Sequence, residues 1–174
     1  KLDSAVLAGL VAVRKIISLV NPVAIVFDAA SWLVMVDPSV VKGKQVVVVE
    51  DGPTLTLGEL KIGGGVVAAQ KFGAAGFVDP RPYSVGRLKE TFEIYPDIGV
   101  LLPAMGYGEQ QLKDLEATID RTECEAVVIG TPIDLSRIID IDKPVTRVYY
   151  NLQEIGQPDF EQVLGDFCEE HALA

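Results

Sequence analysis

Hydrophobic positions along the chain fall into short β-branched runs separated by stretches of helical period. The densest run is Val46 to Val49, four valines with no polar residue between them. Such a run predicts a strand covered on both faces, as in a parallel sheet, rather than one with a wet face. Val23 to Phe27, Gly76 to Val78, Ile98 to Leu102, Ala126 to Ile129 and Thr146 to Tyr150 are the other strand candidates. Helices are predicted over 4–20, with Ser4 as N-cap and Asn21-Pro22 as stop, and over 65–72, with Gly73 just past the end. Two more run over 84–95, capped by Ser84 and stopped by Pro96, and over 109–122, with Leu112, Leu115 and Ile119 on one face. Residues 54–65 read as a loop and 135–139 as a short helix or turn. Pro158 to Glu170 is predicted as a last amphipathic helix with Phe160, Val163, Leu164 and Phe167 inward. Strands that alternate with helices specify an α/β fold. The expectation is a three-layer, Rossmann-like, mostly parallel sheet of about six strands with helices on both faces, and no internal repeat or linker divides it.

Two segments carry more apolar residues than this fold needs. The first helix has them around more than one face, where a surface helix shows one stripe. The segment 24–36, which includes the connection Trp32 to Val36, is similarly rich. Leu7, Leu10, Trp32, Leu33 and Met35 are therefore candidate interface residues, since grouped apolar residues beyond those of the core mark a contact surface.

The 174 residues suffice for one domain with a substantial core. Net charge is −10, which argues against nucleic acid and against an anionic membrane surface as partners. Residues 5–20 are too short for a membrane span and are broken by Arg14, Lys15 and Ser18. They also lack the features of a signal peptide. Cys124 and Cys168 have no metal or disulfide spacing, which points to a reduced, cytoplasmic setting. His171, the single histidine, lies in the tail, so a histidine-based metal site or triad is not expected.

Chemistry concentrates where strands end. Four predicted strands deliver loops of unusual composition: Glu50-Asp51-Gly52-Pro53-Thr54, Asp79-Pro80-Arg81-Pro82-Tyr83, Pro103-Ala104-Met105-Gly106-Tyr107-Gly108 and Gly130-Thr131-Pro132-Ile133-Asp134. In a parallel sheet those ends share one edge, where open α/β sheets bind ligands. Thr54, Thr56, Tyr83, Tyr107 and Thr131 supply hydroxyls, and Arg81 has the fork that suits a phosphate or carboxylate. Gly108 opens a helix whose N-terminus can receive an anion. Glu50, Asp51 and Glu59 are candidate catalytic carboxylates, with Glu50 and Asp51 also the candidate Mg²⁺ ligands. Asp134 is a candidate binding residue that a short helix could equally use as a cap. Each loop taken singly is more often just a turn, and Arg81 could simply pair with Asp79. There is no Walker A sequence; Gly43-Lys44-Gln45 fails at its last position.

These four loops carry a resemblance. From Lys42 to about Asp166 the chain resembles the C-terminal region of archaeal cyclic 2,3-diphosphoglycerate synthetases and related predicted GTPases. The resemblance implies ATP-dependent phosphoryl transfer with Mg²⁺ and either ATP or GTP as cofactors of the full-length family. It also implies an upstream P-loop region, of which residues 1–41 would be a remnant and 42–174 the family's C-terminal domain. Lys1 and Asp3 resemble the end of the family's base-recognition motif, and no cofactor is expected for this chain alone. Leu57 stands where the family typically has histidine, and Ile62 where a tyrosine is expected before the glycine run.

Three functions follow as expectations. The chain is the C-terminal domain of a nucleotide-dependent phosphoryl-transfer enzyme, a ligase or an NTP hydrolase, inactive without its P-loop half and facing a phosphorylated small molecule. Alternatively it is a natural or engineered self-assembling building block that forms a homo-oligomer through the apolar 5–36 surface. A third possibility is an anion-binding regulatory domain.

Overall fold

The structure, a computed structural model, describes residues 6–57 and 62–171. The chain divides into two compact units, Leu33–Tyr149 and a discontinuous one of Lys1–Trp32 with Tyr150–Ala174. This division by compactness is a separate matter from the division by ancestry expected at residue 41.

In the larger unit the four valines form β2 (Gln45–Asp51), and all four are wholly buried. Parallel partners flank it. On one side β5 (Ala126–Ile129) pairs Val46 with Ala126 through Val49 with Ile129. On the other side β3 (Gly76–Phe77) pairs with the start of β2, and β4 (Leu102–Ala104) pairs with its end. The last strand, β6 (Val145–Glu154), lies parallel to β5 and is followed in the sheet by β1 (Ala29–Met35). Val36 N donates to Arg147 O, and Ile155 N donates to Asp28 O. Residue numbers thus rise along one strand as they fall along the other, and β1 is the antiparallel member of a six-stranded, mostly parallel sheet. The chain leaves β2 toward β3 and returns across it from β4 to β5. Right-handed crossovers place the intervening helices α3 (Gly64–Lys71) and α5 (Glu109–Arg121) on opposite faces, the expected three-layer arrangement.

Several expected elements shift, each for a local reason. Residues 23–27 form no strand. A turn at Asn21, closed by Ala24 N donating to Asn21 O at 3.1 Å, takes up this stretch, and the ladder with β6 starts only at Asp28. The strand is instead the segment expected to be a connection. Residues 98–101 are folded into turns, with Ile98 N on Tyr95 O and Leu101 N on Gly99 O, so β4 begins at Leu102. Residues 52–57 form a short helix, α2 (Gly52–Leu57), rather than loop. Ser84 does not cap the next helix, α4 (Arg87–Ile94); its hydroxyl donates back to Arg81 O. The cap comes from α5, where the buried Asp114 accepts from Arg87 N at 3.1 Å. Gly86 makes room for that carboxylate and holds φ +53°.

The smaller unit is built differently. Its first helix, α1 (Leu7–Val20), has no buried residue. The C-terminal helix, α6 (Phe160–Glu170), is capped by Asp159, whose carboxylate accepts from Gln162 N at 2.7 Å. Phe160, Leu164 and Phe167 were expected to face inward; they are all about half exposed or more. Among the candidate interface residues, Leu7 is 75% exposed and Trp32 56%. Leu10 is half-buried, lining a shallow hollow with Arg14 and Asp28, which form an ion pair. Met35 and Leu33 are corrected: Met35 is buried in the core of the larger unit and Leu33 packs against that core. Strand alternation decides this, because β1 turns these two side chains toward the sheet's interior. Among the described residues no helix is long and apolar enough to cross a membrane.

Gly86 and Gly156 both hold positive φ, but only at Gly86 would an added Cβ overlap a side chain, the Asp114 carboxylate. Gly86→Ala is expected to destabilise by about 3 kcal/mol, combining backbone strain with loss of the borrowed cap. Gly156→Ala, which meets nothing within 4 Å, should lose only about 1–2 kcal/mol from strain. Urea unfolding midpoints measure both; equal losses would mean that the Asp114 cap contributes nothing.

Candidate functional site

The register of the parallel strands decides which loops meet. Asp51 is level with Ala104, Val49 with Ile129, and Ile129 with Arg147. The carboxyl ends of β2, β4, β5 and the midpoint of β6 therefore form one rim. It lies where the chain reverses direction across the sheet, which is the place where such sheets open a crevice.

β3 does not reach this rim. It pairs with Gln45 and Val46, so the loop 79–83 leaves alongside the middle of β2, about 10 Å short of Asp51 at ~3.3 Å per residue. Arg81 and Tyr83 are consequently not brought together with the other loop residues. The Arg81 guanidinium donates to both Asp79 oxygens and to Ile98 O, and it lies over the Phe92 ring. These contacts fix the turn after β3 to the segment before β4, a structural use of the fork.

Glu50 is 4% exposed. Its Oε1 accepts from Gly65 N at 2.7 Å and Val66 N at 3.2 Å, in the first turn of α3. Three glycines, two at the start of α3 and one just past β5, crowd this carboxyl: a Cβ at Gly65 or Gly130 would lie 2.9 or 2.7 Å from its oxygens, and one at Gly63 would overlap it. Burial pushes the Glu50 carboxyl up to about 7, against the pull of the two backbone N–H groups; the neighbouring Asp51 charge adds to the rise. Asp51 accepts from Thr54 N and the Thr54 hydroxyl. The Thr56 hydroxyl donates into its own helix, to Gly52 O.

Thr131 is buried and donates to Ile133 O at 2.6 Å. Tyr107 stands beside it. Burial and the Asp51 charge raise the Tyr107 phenol above its ordinary value, while Thr131 acts in the other direction. With the Thr131 hydroxyl turned to Ile133, the buried Tyr107 oxygen has no hydrogen-bond partner among the described residues. Gly108 opens α5, but its N–H is already taken by Gln111 Oε1 at 3.2 Å. Asp134 accepts from Ser136 and lies 3.9 Å from Arg147.

Arg147 is a rim residue that the sequence reading passed over. It donates from Nη2 to Pro132 O, while its buried Nε has no partner among the described residues. The available signal was an arginine inside the otherwise β-branched and aromatic run Val145 to Tyr150. The structure therefore groups Glu50, Asp51, Tyr107, Thr131, Asp134 and Arg147, with Thr54 at the edge. Glu59, Lys1 and Asp3 lie outside the described residues.

Mg²⁺ finds a poor fit here. Among the described residues no three His, Cys, Asp or Glu side chains converge on a metal position. Glu50 is committed to two backbone N–H groups and holds its proton to near neutrality, which leaves Asp51 as the one carboxylate of the expected pair suited to a cation.

No protein-family model matches the chain, and no solved structure matches it. Over 169 residues it is 51% identical to arginine synthetase ArcE of Thermococcus kodakarensis. The match takes in 97% of this chain and 38% of that protein, so the chain spans well under half the length of the curated relative. The likeness is thus to a protein named as a ligase, not to a cyclic diphosphoglycerate synthetase in particular.

A folded Glu50 that keeps its proton to about pH 7, against 4.5 when unfolded, makes stability fall as pH rises between those values and level off above them. The span is on the order of 3 kcal/mol. Subtracting the stability–pH profile of Glu50→Gln from that of the wild type should isolate this decline. Parallel profiles would show that Glu50 does not hold its proton in the fold.

Proposed function

We propose that the chain is one domain of a nucleotide-dependent ligase, and that its rim holds an anionic, oxygen-rich reactant such as a phosphorylated intermediate. The observation that carries this reading is the pair of buried, unpartnered atoms, the Tyr107 hydroxyl and Arg147 Nε. Both belong to residues that border the loop 130–134. Buried polar atoms without partners are uncommon in folded proteins, and at a functional site a ligand is their natural complement. A phenol and a guanidinium N–H are both donors, so the complement is an acceptor: a phosphoryl or carboxylate oxygen.

In this reading Tyr107 and Arg147 hold the anion, and their fixed placement favours charge that grows on its oxygens as a group is transferred. Glu50, poised to hold or release a proton near neutrality, serves as the acid or base. Asp51 orients the Thr54 end of the rim. Because the chain has no Walker A sequence, the nucleotide's phosphates are assigned to another part of the longer protein. The relative's name favours an amino-acid product over closure of 2,3-diphosphoglycerate.

A second reading has its own observation. Val6, Leu7, Val11, Val13, Ile16, Leu19 and Val20 are all more than half exposed along one end of the chain. That favours an assembly role for the smaller unit, through a second copy of the chain.

Two experiments separate these readings. In the full-length protein, Tyr107→Phe and Arg147→Met should each lower kcat/KM for nucleotide-dependent product formation by about 100-fold; wild-type rates in both would remove the rim from the chemistry. For assembly, light scattering should give the mass of a dimer or larger species, and Leu7→Glu with Ile16→Glu should return it to a monomer. A wild-type chain that is monomeric at micromolar concentration rules the assembly role out.

A further inference from the structure

A cavity of about 310 Å³ opens in the larger unit between α4, the end of β4 and the start of α5. None of the rim residues above lines it. Its size is at the lower end of small-molecule pockets, which run from about 300 to 1,000 Å³, and suits a reactant of amino-acid size rather than a nucleotide.

Its lining has an unusual charge arrangement. Arg87 and Glu90 lie three residues apart on α4 and are both exposed, yet they do not pair with each other. Among the described residues the Arg87 guanidinium and the Glu90 carboxylate make no hydrogen bond or ion pair; only the Arg87 backbone is engaged. Deeper in the same cavity lies the buried Asp114 carboxylate. The remaining wall is apolar, with Ile94, Met105 and Leu115. An anion alone would meet two carboxylates and a cation alone would meet a guanidinium. A zwitterion whose aliphatic stem ends in a second cationic group satisfies all three charges and the wall.

We propose that this cavity binds the free amino acid of the ligase reaction, with its α-carboxylate on Arg87 and its α-ammonium on Glu90. The aliphatic side chain lies over Met105 and Leu115, and a basic end group turns toward Asp114. This rests on the ligase reading and names the class of amino acid in that reaction: one with a long, basic side chain. The position supports the assignment. Met105 and Gly106 line the cavity, Tyr107 follows them onto the rim, and Ala104 is level with Asp51, so one loop joins the two sites. Methionine, flexible and polarisable, is well suited to a wall that must follow an alkyl chain.

The probe is L-arginine, titrated calorimetrically into the 174-residue chain. Saturable binding is expected, weakened at least tenfold by Arg87→Ala and by Glu90→Gln. Agmatine, which lacks the carboxylate, should bind wild type at least tenfold more weakly and should lose nothing further in Arg87→Ala. Unchanged circular dichroism melts show that the variants are folded, and Arg87→Lys should restore part of the affinity. No saturable binding of L-arginine, or binding that both substitutions leave intact, overturns the proposal. Inorganic phosphate is titrated in parallel. Phosphate binding that Arg147→Met abolishes, with no arginine binding, defeats this inference and leaves the rim standing. Arginine binding that depends on Arg87, with no phosphate binding, defeats the rim reading while the cavity keeps its ligand.

Discussion

The carboxyl group of Glu50 ties this protein's sheet to its first crossover helix. A glutamate in a parallel strand has no water on either face, so it must find donors or keep its proton. Here it does both in part: two N–H groups at the start of α3 reach it, and burial still holds its proton to near neutrality. The backbone can come this close only because no side chain stands at Gly63, Gly65 or Gly130. The glycine run that opens α3 is therefore explained by a carboxyl group of the protein itself. A phosphate-binding role for that run would have to displace Glu50 from it.

Strand length settles what else is shared. β3 is two residues long and occupies the lower half of one side of β2, which leaves the upper half to β4. Two loops that would compete for the rim are separated along the strand axis. The Asp79–Tyr83 loop becomes a structural corner held by Arg81, while the loop after β4 reaches both the rim, through Tyr107, and the cavity, through Met105. Chemistry in the larger unit thus gathers around Pro103 to Gly108.

The sheet was legible because buried parallel strands announce themselves. The run of four valines and Ala126 to Ile129 sit where their composition places them, and the three-layer architecture follows from alternation. Lateral position in the sheet was not legible. Nothing in Gly76 to Val78 says that this strand pairs with the bottom of β2, so Arg81 was expected on an edge it does not reach. Caps borrowed from another helix are equally invisible, since Ser84 has the right composition and Asp114, far along the chain, does the work. Arg147 escaped notice because a single charge in a strand ordinarily reads as a solvent-facing position, whereas its Nε is buried.

The smaller unit shows where periodicity stops being informative. Residues 7–20 and 160–170 carry helical patterns, and both stretches are helices. A pattern says that a face is apolar; it does not say what covers it. Phe160, Leu164 and Phe167 are expected in the interior because amphipathic helices of single domains bury that face. All three are left largely open, as is every large apolar residue of α1 except the half-buried Leu10 and Ile17. Burying such faces contributes roughly 25 cal/mol per Å² of apolar surface, a gain this unit does not collect within its own fold. The same residues that look superfluous to an α/β domain are those a longer or assembled protein would need. The excess of apolar positions in the sequence and the open helices in the structure are one observation made twice.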